Sequence, residues 1–147
     1  MKFQGLYTAI VTPFAGNRVD EEAFRMLVEA QIAAGVAGIV AVGTTGESPT
    51  LTVKEHLRVI ELAVESAAGR IQVIAGTGAN STAEAIHMTQ EAEKMGVDGA
   101  LQVCPYYNNP SQNGVYAHFK AIADATRLPI MLYSIPGRCG IEISVET

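Results

Sequence analysis

The chain has 147 residues, 48% of them apolar and 17% charged, with a formal net charge of −5; it can build one substantial core, is too apolar to be disordered, and its ten scattered Lys and Arg exclude the basic face that nucleic-acid binding requires. Two cysteines, Cys104 and Cys139, are too few for a disulfide framework and lack a Cys-x-x-Cys spacing. The start Met1-Lys2-Phe3-Gln4-Gly5 has no apolar leader core and no run reaches bilayer length, so the expected setting is the cytoplasm, with reduced thiols and no membrane partner.

In chain order, Leu6–Val11 predicts a first strand. Asp20, Glu21 and Glu22 suit the positive start of a helix whose inner face is Phe24, Leu27, Val28 and Gln31 and which Gly35 stops. Gly38–Val42 predicts the second strand, running into Gly43-Thr44-Thr45-Gly46-Glu47. Thr52 and Glu55 form a capping box for a helix carrying Leu57, Ile60, Val64 and Ala67 on one face and ending at Gly69. Ile71–Ala75 is the third strand; Ser81 and Glu84 repeat the capping box before a helix with Ile86, Thr89 and Ala92 that ends at Gly96. Gly99–Val103 is the fourth strand, and a fourth helix separates it from the fifth, Pro129–Tyr133.

After the first, strand starts recur about every thirty residues, the length of a βαβ unit, and the runs are nearly continuous in apolar residues, as strands covered on both faces must be. The pattern predicts a parallel sheet. Such a chain closes as an open doubly wound sheet or as a (β/α)₈ barrel. A whole barrel takes about 250 residues, so in that case residues 1–147 form a partial TIM-barrel domain with about the first five strands and four helices. In either closure the active face lies past the carboxyl ends of the strands.

Three loops on that face carry chemistry. The glycines of Gly43–Glu47 let backbone N–H groups and two hydroxyls approach a carboxylate closely; without a following Lys-Ser or Lys-Thr it is not a phosphate loop. Cys104-Pro105-Tyr106-Tyr107-Asn108-Asn109-Pro110 presents adjacent tyrosines in opposite directions if extended, so that one can pack while the other reacts. Tyr133-Ser134-Ile135-Pro136-Gly137-Arg138 puts a phenol at a strand end and a guanidinium, suited to bidentate grip of a carboxylate, five residues on. The bland readings are a tight turn, packing tyrosines, and a surface pair between Arg138 and Glu142.

Gly43–Leu51 (GTTGESPTL), Gly76–Asn80 (GTGAN), Pro105–Gly114 (PYYNNPSQNG) and Tyr133–Arg138 (YSIPGR) resemble the amino-terminal half of the 4-hydroxy-tetrahydrodipicolinate synthase family, also called the dihydrodipicolinate synthases, in order along essentially the whole chain. The resemblance implies a (β/α)₈ barrel, a homotetramer built as a dimer of tight dimers, and condensation of pyruvate with aspartate semialdehyde in lysine and diaminopimelate synthesis. It implies that Thr45 helps hold pyruvate, Thr44 bridges two phenols in a proton relay, Tyr133 serves the same subunit's site and Tyr107 the neighbour's, and Arg138 binds the semialdehyde carboxylate. No metal or organic cofactor is implied. Ser134 and Cys139 depart from the family's common Asn and Thr; with no nearby histidine or helix start to lower its pKa, Cys139 is not read as a nucleophile.

The imine-forming lysine of the family lies at the end of the sixth strand, past Thr147, whereas Lys2, Lys54, Lys94 and Lys120 fall at the terminus or on helices. The isolated chain is therefore expected to form no pyruvate imine and, with two unpaired strand edges, to aggregate or associate with a complement. Ser48, Pro49, His56, Gly78, Asn80, Glu84 and Tyr106 match the lysine effector pocket of lysine-inhibited members, with Val53 in place of a further histidine. The alternatives for two of these are a capping Glu84 and a solvent-facing His56; His87 and His118 read as helix-surface residues. An N-acetylneuraminate lyase-like keto-acid aldolase more often has Gly-Ser-Thr-Gly in the first turn and lacks the arginine at 138. A non-catalytic half-barrel binding module and a flavodoxin-like sheet are the other readings, and Thr12-Pro13-Phe14 does not form the phosphate cradle the last requires.

Overall fold

The structure, a computed structural model, describes residues 3–147; Lys2 lies outside them. Five strands, β1 (Tyr7–Ala9), β4 (Gly38–Ala41), β5 (Gln72–Gly76), β6 (Gly99–Val103) and β7 (Ile130–Tyr133), form one parallel sheet in the order β1-β4-β5-β6-β7. A short antiparallel hairpin, β2 (Phe14–Ala15) with β3 (Arg18–Val19), follows β1. Helices α1 (Glu21–Ala33), α2 (Val53–Ala67), α3 (Thr82–Met95) and α4 (Gln112–Asp124) connect consecutive strands of the sheet, and one helical turn, α5 (Pro136–Cys139), follows β7. This is an α/β fold, five strands and connecting helices of a (β/α)₈ barrel.

The helix ends follow the local chemistry. The Asp20 side chain accepts from the Ala23 N–H at 3.0 Å, leaving Glu21 and Glu22 in the first turn, where the helix dipole favours anions. Thr52 and Glu55 form the full reciprocal capping box. The Ser81 box is only half made: the Ser81 hydroxyl accepts from the Glu84 N–H, and the Glu84 side chain does not return the bond. Gly96 stops α3 with φ 87°, whereas α2 ends on Ala68, itself left-handed, before Gly69.

The apolar runs segregate by face. Residues of β4 to β6 that meet the helices, among them Ile39, Ala41, Val73, Ala75 and Ala100, are buried. One core cluster joins β4 and β5 to α1 and α2 through Phe24, Val28, Val59, Ile60 and Leu62; a second gathers Cys104, Val115, Phe119, Ile122 and Cys139. On the other face Ile74 is buried, while Val40, Leu101, Val103 and Tyr133 are half-buried. Across α1 and α2, Arg25 and Arg58 pair with Glu21, Glu61 and Glu65, an exposed network of modest worth.

Candidate active site

The carboxyl ends of β4 to β7 enclose a cleft of about 360 Å³ lined by Thr44, Glu47, Ser48, Gly76, Gly78, Tyr106, Tyr133, Arg138 and Cys139, with Val42, Leu101, Val103 and Ile135 as its apolar wall. Its shape begins at Val42. This buried β-branched residue takes φ 48°, a left-handed conformation that is a genuine outlier for its type. Such strain, of order 1–3 kcal/mol, persists only where the surroundings over-determine it. Gly76 supplies that constraint: a Cβ there would collide with the Val42 carbonyl and lie 3.0 Å from the Gly43 nitrogen.

Beyond the kink the turn closes on itself. The Gly46 and Ser48 N–H groups donate to the Gly43 carbonyl, the Glu47 N–H donates to Thr44, and the buried Thr12 hydroxyl donates to the Gly46 carbonyl at 2.7 Å. The outcome is that Thr44 lines the cleft, while Thr45, exposed, does not. Of the two adjacent hydroxyls, the one in the cleft wall is therefore that of Thr44.

On β6 and β7 the main chains are locked by the Cys104 N–H donating to the Tyr133 carbonyl at 3.0 Å. The adjacent tyrosines then diverge. Tyr106 lines the cleft; Tyr107, at φ 73°, is 94% exposed and is not part of the wall. Arg138, carried on α5, lines the cleft and forms no ion pair with Glu142 among the described residues. Cys104 and Cys139 are buried free thiols, and burial pushes both above their ordinary value, as inert thiols require.

A smaller cavity of about 80 Å³ lies behind the cleft and shares Ser48, Pro49, Gly78 and Tyr106 with it; Leu51, Val53, His56, Thr77, Ala79, Glu84 and Met88 complete its lining. Six of the seven expected effector residues meet here. Asn80 is absent from the wall, its carbonyl accepting from Asn108 Nδ2 at 3.3 Å. Burial, then the Glu84 carboxylate, raises the Tyr106 phenol.

His56 is buried, not solvent-facing, and its Nε2–H donates to the Gly76 carbonyl at 2.7 Å. His118 is also buried rather than on the surface: it faces α3, with Nδ1 2.8 Å from the Thr82 hydroxyl; His87 is exposed. Burial lowers the pKa of both inner imidazoles, for His56 against the opposing Gly76 bond and Glu84. Folding thus disfavours their charged forms, and the unfolded chain binds their protons from about pH 6.5 downward. Stability should therefore be complete above that value and fall as pH drops below it. Denaturant midpoints at pH 7.5 and 5.5 should differ less in a His56→Gln, His118→Gln double variant than in the parent; an unchanged difference would refute the assignment.

Glu47, which closes the Gly-Thr-Thr-Gly turn, also lines the cleft without a role expected from the sequence. Among the described residues no three His, Cys, Asp or Glu side chains group as metal ligands, and no helix is long and apolar enough to cross a membrane.

Residues 2–147 match the dihydrodipicolinate synthetase family. The 4-hydroxy-tetrahydrodipicolinate synthase of Phenylobacterium zucineum is 57% identical over 142 residues, covering 97% of this chain and 48% of that protein. The solved synthase of Methylacidiphilum fumariolicum SolV superposes with a TM-score of 0.97 at 57% identity, covering 99% of this chain and 48% of its own. Two further solved dihydrodipicolinate synthases align similarly. That of Acinetobacter baumannii, in complex with pyruvate, has a TM-score of 0.95 at 51% identity, with 97% of this chain and 50% of that one covered. That of Cyanidioschyzon merolae, with lysine bound, has 0.93 at 48% identity, with 95% and 48% covered. The chain spans about half the length of the relatives it matches. Matched by the family over residues 2–147 and superposing on half of each of these enzymes, the chain belongs to the dihydrodipicolinate synthetase family.

Proposed function

We propose that this chain provides the amino-terminal part of a 4-hydroxy-tetrahydrodipicolinate synthase, a lyase that condenses pyruvate with L-aspartate 4-semialdehyde through a lysine imine. The observation that carries the reading is the convergence of Thr44, from the turn after β4, with Tyr133 and Arg138, from the end of β7 and the turn after it, on one cleft at the strand ends. Tyr133 moves protons as the imine forms and as the new carbon–carbon bond is made, with Thr44 passing them on; a phenol and a hydroxyl are competent for such a relay. Arg138 grips the semialdehyde carboxylate, for which its planar fork is suited.

The amine comes from outside residues 1–147. Of the described lysines, Lys54, Lys94 and Lys120 are exposed and none lines the cleft, whereas an imine-forming lysine needs a desolvated site to hold a neutral amine. Tyr107, exposed on a left-handed turn, completes the relay of a neighbouring subunit in a homotetramer of paired dimers. Lysine is the effector of the smaller cavity: Glu84, freed from capping, receives its α-ammonium, Tyr106 its carboxylate, and His56 with Ser48 its distal end.

Joining residues 1–147 to the remaining half of the M. fumariolicum enzyme should give a protein that condenses pyruvate with aspartate semialdehyde and loses rate at millimolar lysine. A folded chimaera that cleaves N-acetylneuraminate instead, or condenses nothing, would overturn the reaction; full rate in lysine would remove the effector site.

A further inference from the structure

The cleft wall holds one cation, Arg138, and one anion, Glu47. Glu47 sits at φ 57° and ψ 34°, where glycine is conformationally cheap and a long L side chain is not. Its main chain is fully engaged: the N–H donates to Thr44 at 3.1 Å, and the carbonyl accepts from the Thr50 N–H and the Thr50 hydroxyl, each at 2.9 Å. Its carboxylate takes part in none of the ion pairs among the described residues. Glycine would serve the turn at lower cost, so the carboxylate itself is what the position supplies.

We propose that Glu47 is the receptor for the α-ammonium of the amino aldehyde whose carboxylate Arg138 holds. This rests on the condensation reading above and names the residue that reading leaves out. Aspartate semialdehyde carries a carboxylate and an ammonium on the same carbon, so a site with the guanidinium alone would accept deaminated aldehydes equally well. A carboxylate in the same cleft wall pairs with the ammonium and finds no partner in the deaminated analogue, which turns one attraction into discrimination. Pyruvate has no ammonium, so Glu47 also marks the amino aldehyde's place apart from that of the keto acid.

The test uses two stable compounds that differ only in the ammonium group, L-homoserine and 4-hydroxybutyrate. Each is titrated by calorimetry, in the presence of pyruvate, into the protein carrying this chain and into its Glu47→Gln variant. The parent should prefer homoserine by about tenfold, the size of one charge-assisted pair. The variant should bind the two within about twofold of each other, with 4-hydroxybutyrate affinity and melting temperature unchanged. A preference that survives the substitution, or equal weakening of both compounds, would overturn the proposal. A condensation assay run alongside separates the two readings: preference without turnover keeps the ammonium site and removes the reaction, and turnover without preference does the reverse.

Discussion

Replacing Tyr133 with Phe should lower the condensation rate by about 10²- to 10³-fold, the range for losing a positioned proton-transfer group, with far less change in the KM for pyruvate. The substitution keeps the ring that packs at the end of β7 and deletes only the hydroxyl. That hydroxyl makes no side-chain hydrogen bond among the described residues, so the variant should unfold within about 0.5 kcal/mol of the parent. Thr44, which lines the same cleft, would then be left without that phenol in the relay. Steady-state kinetics with both substrates, alongside denaturant melts, checks this. A rate within twofold of the parent would remove Tyr133 from the chemistry, whereas equal loss of rate and stability would make it a packing residue.

The second large effect concerns the turn's foundation. Gly76→Ala would drive a methyl group into the Val42 carbonyl and the Gly43 nitrogen. Both obstacles are backbone, so no side-chain rotation relieves them. Val42 is already strained, and the kink would have to open or β5 withdraw from β4. A cost of about 3 kcal/mol is expected, at the upper end for overpacking, which for a chain of this size lowers the melting temperature by about 10 °C. Gly137→Ala is the control, since nothing lies within 4 Å of a Cβ there; it should change stability by no more than about 0.5 kcal/mol. Thermal melts of the two variants decide it. A harmless Gly76→Ala would mean that the approach of β5 to Val42 does not hold the Thr44 turn in place.

The parts of the molecule legible in the sequence are those where local pattern and tertiary packing agree. The main-sheet strands and the four long helices have apolar periodicity or runs long enough to read, with caps at Asp20, Thr52 and Ser81 that the structure uses. The β2–β3 hairpin, with two residues in each strand, and α5, four residues including Pro136 and Gly137, are too short for any period to declare itself. His118 departs from the surface expected of a helix histidine because it shares a buried face with Val115, Phe119 and Ile122, a spacing that the sequence displays. Glu84 shows a different limit. Its motif allows a capping carboxylate or a pocket carboxylate, and only the half-made box separates the two.

In the cleft, residues following strand ends, Thr44, Tyr133 and Arg138, were accessible from topology. The divergence of Thr44 from Thr45, and of Tyr106 from Tyr107, depends on left-handed turns at non-glycine residues, which composition does not signal. The absence of a described lysine from the cleft follows from topology as well, since every lysine after Lys2 falls in a connecting helix.

The most direct test of the central claim is the mass of the protein carrying this chain, and of residues 1–147 alone, after borohydride treatment with pyruvate. The account predicts one reduced pyruvate on the longer protein, on a peptide outside residues 1–147, and none on the isolated chain. A stoichiometric adduct on Lys2, Lys54, Lys94 or Lys120 would contradict it.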